Sequence, residues 1–449
     1  MDRVLGVETE YGLSARSGGR RLSAPEAAEL LFRPVVAEYR SANAFLGNGG
    51  RLYLDVGAHP EYATPECRTA RDLLVAERAG DDLLAGLAVR ASGLAAETGV
   101  EVAFRLFKNN TDSFGNSYGC HENYLVDRRL DLASAVSLLT SFLVTRQVLC
   151  GAGRWHRGEF TISQRADHLY AQLSASTTRA RPLVNTRDEP LADPSRFRRL
   201  HVLAGDSNLA EPSAWLKVGS TLAVLELLDR PEGPDARLAH LQLADPAAAL
   251  RQVARDPLAS LELADGRRVT AVDLQRAYLE LAGSHAEPDL AALWTRVLDA
   301  LAAGEPERVA TEVEWVAKLR LLEEFRDRHH LGADDLRLAQ LDLAFHELGG
   351  LSRVLEESGA LARITEPADV ERAKTQPPVG TRASARSRFI GAAARQHLRF
   401  SVDWQTCTVH DRPDSQGRPT ERTVLLPDPR SDQSAELDDL LATLHRSAD

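Results

Sequence analysis

Arg51-Leu52-Tyr53-Leu54-Asp55-Val56-Gly57-Ala58-His59-Pro60-Glu61-Tyr62 alternates apolar and polar residues with the period of a β-strand. Leu52, Leu54 and Val56 share one face; Arg51, Tyr53 and Asp55 share the other. A face that carries a guanidinium, a phenol and a carboxylate is not a core face. A second strand pattern, Val4-Leu5-Gly6-Val7-Glu8-Thr9-Glu10-Tyr11-Gly12, places Glu8 and Glu10 two apart on one side. Neighbouring carboxylates repel, and burial sharpens the repulsion unless a cation neutralises them. The two strands together predict a sheet with one wet, acidic face, suited to oxygen-ligated magnesium carrying a nucleotide phosphate.

The rest of the chain is compatible with that sheet. Its 449 residues exceed what a single core usually serves, and 43% hydrophobic with 27% charged residues is ordinary for a globular protein. A net charge of −11 argues against a nucleic-acid binder. No apolar run approaches the roughly 20 residues that span a bilayer. The chain runs directly into a strand pattern, so no signal peptide is expected. Cys67, Cys120, Cys150 and Cys407 are widely spaced, which disfavours a zinc site or disulfide framework and predicts a cytoplasmic, reducing setting.

Strand patterns fall at 3–12, 51–57, 102–108, 122–127 and 199–205. Amphipathic helices fit 24–39, 71–98 and 132–149. From about 217 to 360 the spacing is helical throughout, for example over 291–303 and 309–328. Gln376-Pro377-Pro378-Val379-Gly380 reads as a linker. Beyond it come a basic helix, 382–399, and strand-like pieces at 400–404 and 422–426. This predicts a large unit over 1–379 and a small C-terminal domain over 380–449. Strands and helices mix without regular alternation, so the class is α+β rather than a doubly wound parallel sheet. There is no Walker loop and no dinucleotide glycine fingerprint, so any ATP must be held by metals and arginines.

Glu8, Glu10 and Glu61 are the candidate metal ligands. Asp55 suits two roles, a metal ligand or a general base, and a plain ion pair with Arg51 is the structural alternative. The polar run from Phe107 to Tyr124 can be a plain turn, but a long loop without core residues is uncommon in a compact domain unless it binds something. Thr177–Arg181 and Asn185–Pro190 follow. Then Arg199 and His201 share a strand face that suits phosphate or metal. Arg382, Arg386, Arg388, Arg395 and Arg399 form the main basic series, either a solvated face or a docking surface for an acidic partner.

These motifs resemble the Pup ligase family, enzymes that attach the small protein Pup to lysines of target proteins. The most specific blocks are Gly6–Gly12, Asn48–Cys67, Phe107–Leu125, Phe142–Gln147, Asn185–Pro190 and Arg198–Asn208. The resemblance implies a glutamine-synthetase-like fold, with a large domain around a curved antiparallel sheet plus a small C-terminal domain. It implies a two-step, ATP-dependent ligation. The side-chain carboxylate of Pup's C-terminal glutamate is first phosphorylated; a target lysine then attacks, giving an isopeptide bond. Carried over by motif, Glu8, Tyr53 and Glu61 bind magnesium, Arg51, Thr64 and Trp404 contact ATP, and Asp55 accepts the proton. Glu10 and His201 join as further metal or phosphate contacts from the strand-face argument. The sister enzyme, a Pup deamidase and depupylase, typically carries a long insertion after the first strand and serine before the histidine. Here 12–48 is short and the motif reads Gly119-Cys120-His121, which favours the ligase. Leu191 stands where both relatives usually have histidine, away from every residue assigned to metal or ATP.

Overall fold

The alternation of Leu5 and Val7 with Gly6 and Glu8 makes the first strand two-faced, and the sheet grows around it. In a computed structural model, which describes residues 3–55, 57–112, 115–174, 182–411 and 420–446, this strand is β1 (Leu5–Glu10). The others in its sheet are β2 (Asn43–Phe45), β3 (Arg51–Leu54), β4 (Pro60–Ala63), β5 (Cys120–Asp127), β6 (Ala171–Ser174), β7 (Pro182–Asn185) and β8 (Phe197–Val202). The eight strands run in the order β6-β7-β8-β5-β1-β4-β3-β2. Every neighbouring pair is antiparallel except β6 with β7. The α+β class is therefore observed. Val56, Ser113, Phe114 and the Thr177–Arg181 motif lie outside the described residues.

Register decides what the sheet can do. Directly opposed residues share a face. Glu8 opposes His121, Glu10 opposes Glu61, Glu61 opposes Tyr53, and Asn123 opposes His201. The other face is dry: Leu5, Val7, Cys120, Tyr124, Val126, Leu200 and Val202 are buried in one core with helices α2 (Ala70–Glu97), α3 (Leu132–Thr145) and α4 (Glu211–Leu228), and α2 also packs on α1 (Ala24–Tyr39). Each such side chain contributes about 1.5–3 kcal/mol on burial. A slip of one residue would exchange Val7 for Glu8 against that core, so the apolar face fixes the register of the acidic one. Helix α2 approaches β4 so closely that a Cβ at Gly80 would lie 2.2 Å from the Tyr62 ring. Only glycine permits that contact.

Two helices end earlier than the pattern predicts. The 132–149 segment breaks at Arg146, and Gln147–Cys150 forms a separate turn. The fully buried Arg146 guanidinium bonds Glu122 (2.9 Å) on the dry face of β5 and the Lys217 carbonyl (3.1 Å), which fixes the chain at that point. The basic helix, α5 (Arg382–Arg395), also stops short of 399. His397 turns at φ 54°, and Arg399 already opens a strand.

Strands β9 (Arg399–Val402), β10 (Thr406–Asp411) and β11 (Thr420–Leu425) form a small antiparallel sheet. With α5 and α6 (Ala435–Arg446) it has its own apolar core, including Phe389, Cys407, Val424 and Leu437, into which Phe45 of β2 inserts. Arg382 and Arg386 are not surface residues: both are buried and grip Glu66, which removes them from the expected docking series. Among the described residues no helix is long and apolar enough to cross a membrane.

Candidate active site

The open face of the sheet carries two groups of candidate ligands. Glu8, His121 and His201 can each bring one donor atom within 4.8 Å of the others, and so can Glu10, Asp55 and Glu61. Around Glu8, His121 Nδ1 lies at 3.4 Å, Asn123 Nδ2 at 3.3 Å, Arg199 Nη1 at 3.5 Å and His201 Nε2 at 3.8 Å. Burial works against charge on Glu8. The His121 hydrogen bond and the Arg199 guanidinium outweigh it and hold the carboxyl below the usual carboxylate range. Burial, with His121 and Arg199 nearby, pushes His201 down to about 3, so its ring is neutral. His201 Nε2 is buried without a hydrogen-bond partner. A neutral, unpartnered imidazole nitrogen facing a carboxylate is what a cation or phosphate contact requires.

The second group has the opposite balance. Glu61 is buried beside Glu8, Glu10 and Asp55; burial first, then those charges, raise its carboxyl well above the usual range. Among the described residues no cationic side chain pairs with it. The Tyr53 hydroxyl donates to Glu61 Oε1 at 2.5 Å, and burial with the Glu61 charge keeps that phenol protonated. An all-oxygen set that resists ionisation by itself fits a hard divalent cation, so magnesium suits these residues.

An apolar cleft adjoins Glu8. Val4, Leu125, Thr64, Leu191, Arg199 and Trp404 are among its walls. Thr64 Oγ1 accepts from the Val7 amide (3.0 Å). Trp404 sits edge-on to Phe45 at 5.0 Å, and Arg386 lies over both rings. Arg51 covers the Tyr53 ring at 4.4 Å and bonds Asn43 at 2.8 Å rather than pairing with Asp55. The structure thus brings Arg51, Thr64 and Trp404 to one side of the acidic face. Leu191, expected to stand apart from the site, lines the cleft with Glu8, Thr64 and Trp404 at φ 51°.

The sequence presents His121 and Asn123 only within the 107–124 run and its Gly119-Cys120-His121 motif, with nothing that marks them as neighbours of Glu8. Only the pairing of β5 against β1 places them beside Glu8, and that pairing spans more than a hundred residues. The Phe107–Tyr124 run is largely a buried brace. Asn110 bonds Ser207 (3.0 Å) and the Tyr118 carbonyl (3.2 Å). Elsewhere, a groove runs between α5 and the β2 side of the sheet. Arg388, Arg395, Arg399, Ile390, Phe400 and Phe45 are among its walls, so the exposed half of the basic series faces it.

The fold and the face define a class: an α+β protein whose chemistry sits on the open side of an antiparallel sheet, in carboxylates, histidines and arginines. Residues 3–408 match the family model described as Pup-ligase protein. The chain is 43% identical over 445 residues to the Pup–protein ligase of Saccharomonospora viridis, covering 95% of this chain and 96% of that one. It is also 43% identical over 460 residues to the Pup–protein ligase of Acidimicrobium ferrooxidans, covering 98% and 99%. Among solved structures, the ligase PafA in complex with Pup superposes with a TM-score of 0.90 at 39% identity, over 99% of this chain and 93% of that one. PafA in complex with ADP gives a TM-score of 0.81 at 39% identity, over 95% and 94%. The chain belongs to the Pup-ligase family.

Proposed function

We propose that this protein is an ATP-dependent Pup–protein ligase that joins the C-terminal glutamate side chain of Pup to lysines of target proteins, marking them for proteasomal degradation. The observation that carries the reading is the pair of donor sets on one sheet face, the first of which borders the Thr64–Trp404 cleft through Glu8. A carboxylate is a poor electrophile until one oxygen becomes a phosphate leaving group. Glu8, His201, Glu10, Glu61 and Tyr53 would hold magnesium, which supplies charge neutralisation for the transferring phosphoryl. Arg51 and Arg199 add guanidinium donors for phosphate oxygens, and Thr64 and Trp404 flank the nucleotide.

In the second step the amine is the difficulty, because a lysine is protonated at neutral pH. Asp55, half-buried at the rim of the acidic set, attracts the ammonium and takes its proton. The nitrogen then bonds the activated carbon as the carbon–oxygen bond to phosphate breaks.

We place the acidic protein partner in the groove beside α5, where Arg395 and Arg399 offer positive charge and Phe45 links it to the cleft. The working division is a catalytic domain over 1–379 and a C-terminal domain over 380–449. Four free, buried cysteines agree with a cytoplasmic enzyme. The deamidase reading on the same scaffold is not favoured, because the similar proteins are named as ligases.

The test is incubation with Pup ending in glutamate, ATP, magnesium and a lysine-bearing protein. The expected result is an adduct formed with ADP release. Removal of Pup from a preformed adduct without ATP turnover, and no adduct formation, would assign the chain to the hydrolase instead.

A further inference from the structure

Asp55 lies just past the end of β3, at the start of a tight loop. That loop is strained: Gly57 has φ 89°, and Ala58, which carries a Cβ, has φ 66°. A non-glycine residue there costs about 1–2 kcal/mol and persists only where the surroundings enforce it. His59 supplies the enforcement. Its carbonyl accepts from the Asp55 amide (2.9 Å), and the Ala58 amide closes back onto the Asp55 carbonyl (3.1 Å). Its ring is held twice. Nδ1 lies 3.1 Å from the Tyr11 carbonyl, which can only accept, so Nδ1 carries the proton. One ring face stacks on Tyr118 at 4.4 Å and 27°. The ring edge closes the space beside the turn: a Cβ at Gly57 would come within 3.3 Å of His59 Cδ2.

Both anchors are rigid. Tyr11 is fully buried with its hydroxyl on Asp81 (2.7 Å). Tyr118 is buried with its hydroxyl bonded to Asn109, which in turn holds the Thr111 carbonyl (2.8 Å). The polar run before β5 therefore presents Tyr118 as a wall for the imidazole.

We infer that His59 is a positioning residue for Asp55, clamping the loop so that the carboxylate meets the incoming lysine. The inference rests on the reading of Asp55 as proton acceptor. It concerns the amine step, in which Asp55 is read as the proton acceptor; His59 itself belongs to neither donor set. A displacement of about 1 Å in such a group is enough to slow a reaction by roughly a hundredfold.

The experiment compares two nucleophiles on the full-length enzyme with Pup, ATP and magnesium. One is a target-protein lysine. The other is hydroxylamine, which is already unprotonated at neutral pH and needs no base before attack. His59→Ala should lower kcat for lysine conjugation by about ten- to a hundredfold, with hydroxamate formation and ADP affinity within about twofold of wild type. His59→Asn, which keeps a donor for the Tyr11 carbonyl, should recover part of the lysine rate, so a marginally folded His59→Ala does not decide the matter. Asp55→Asn is the parallel control and should show the same split. If Asp55→Asn conjugates lysine normally, the proton-acceptor reading fails and the inference with it. If Asp55→Asn splits the two nucleophiles while both His59 variants slow them equally, or slow neither, the positioning role alone is overturned.

Discussion

Glu66→Gln tests how the C-terminal helix is tied to the cleft. Glu66 is buried beneath the Trp404 side of the cleft. Its two oxygens take Arg382 (2.8 Å) and Arg386 (2.6 Å), and Arg386 also holds the carbonyls of Gly49 (2.7 Å) and Trp404 (3.1 Å). Burial raises the Glu66 carboxyl, but the charges of Arg386 and Arg382 overcome it and bring it from 4.5 to about 2. At about 1.4 kcal/mol for each tenfold change in proton affinity, that is roughly 3 kcal/mol of stability at neutral pH. Leaving two buried guanidinium groups without their carboxylate gives a similar figure, about 3–5 kcal/mol.

For a chain of 449 residues this corresponds to a fall in melting temperature of roughly 3–5 °C. Hydrogen exchange should locate the loss in α5 and the 46–50 turn, and ADP should bind more weakly because Trp404 loses its anchor. The carboxyl is depressed in the folded state, so its contribution is complete above 4.5 and disappears as pH falls through about 2. The gap between wild type and variant should therefore close in acid. A melting temperature within about 1 °C of wild type at pH 7, with unchanged ADP affinity, would refute the argument.

Removing one member of the repulsive set should do the opposite to the metal-free protein. Glu61 has a raised carboxyl, so metal-free stability should fall as pH climbs above 4.5, and Glu61→Gln should flatten that slope. The same variant should lose the magnesium–ADP stabilisation, about 2.7 kcal/mol for wild type at a hundredfold excess over Kd, as read by thermal shift. Asp55→Asn should slow lysine conjugation by about 10²–10⁴-fold in single-turnover assays while ADP titration gives a near-normal Kd; loss of nucleotide affinity in parallel would make Asp55 a ligand. Charge reversal at Arg395 and Arg399 together should weaken Pup binding by roughly tenfold at low salt and much less at high salt, measured by fluorescence anisotropy.

The sheet was legible because its strands alternate. Val7 against Glu8 and Leu52 against Tyr53 define two faces before any partner strand is known, and the acidic face points to the cation chemistry. Glu10 with Glu61 follows the same logic. What the sequence withheld is long-range. His121 reaches Glu8 only through the β1–β5 register, and Leu191 reaches the cleft through a loop whose path no periodicity encodes. The basic helix misled for a different reason. Arg382 and Arg386 carry charge, which reads as surface, but both bond the carboxylate of Glu66 in the interior, more than three hundred residues away in sequence. Helix ends were also misjudged where a buried side chain sets the stop, as Arg146 does on Glu122.

The most direct measurement is anomalous diffraction from crystals grown with ADP and manganese, which replaces magnesium on oxygen ligands. The account predicts manganese peaks on the open face of the sheet, among Glu8, His121 and His201 and among Glu10, Glu61 and Tyr53, with the nucleotide reaching towards Trp404. Bound ADP with no metal peak in either set, or with the metal held away from that face, would contradict it.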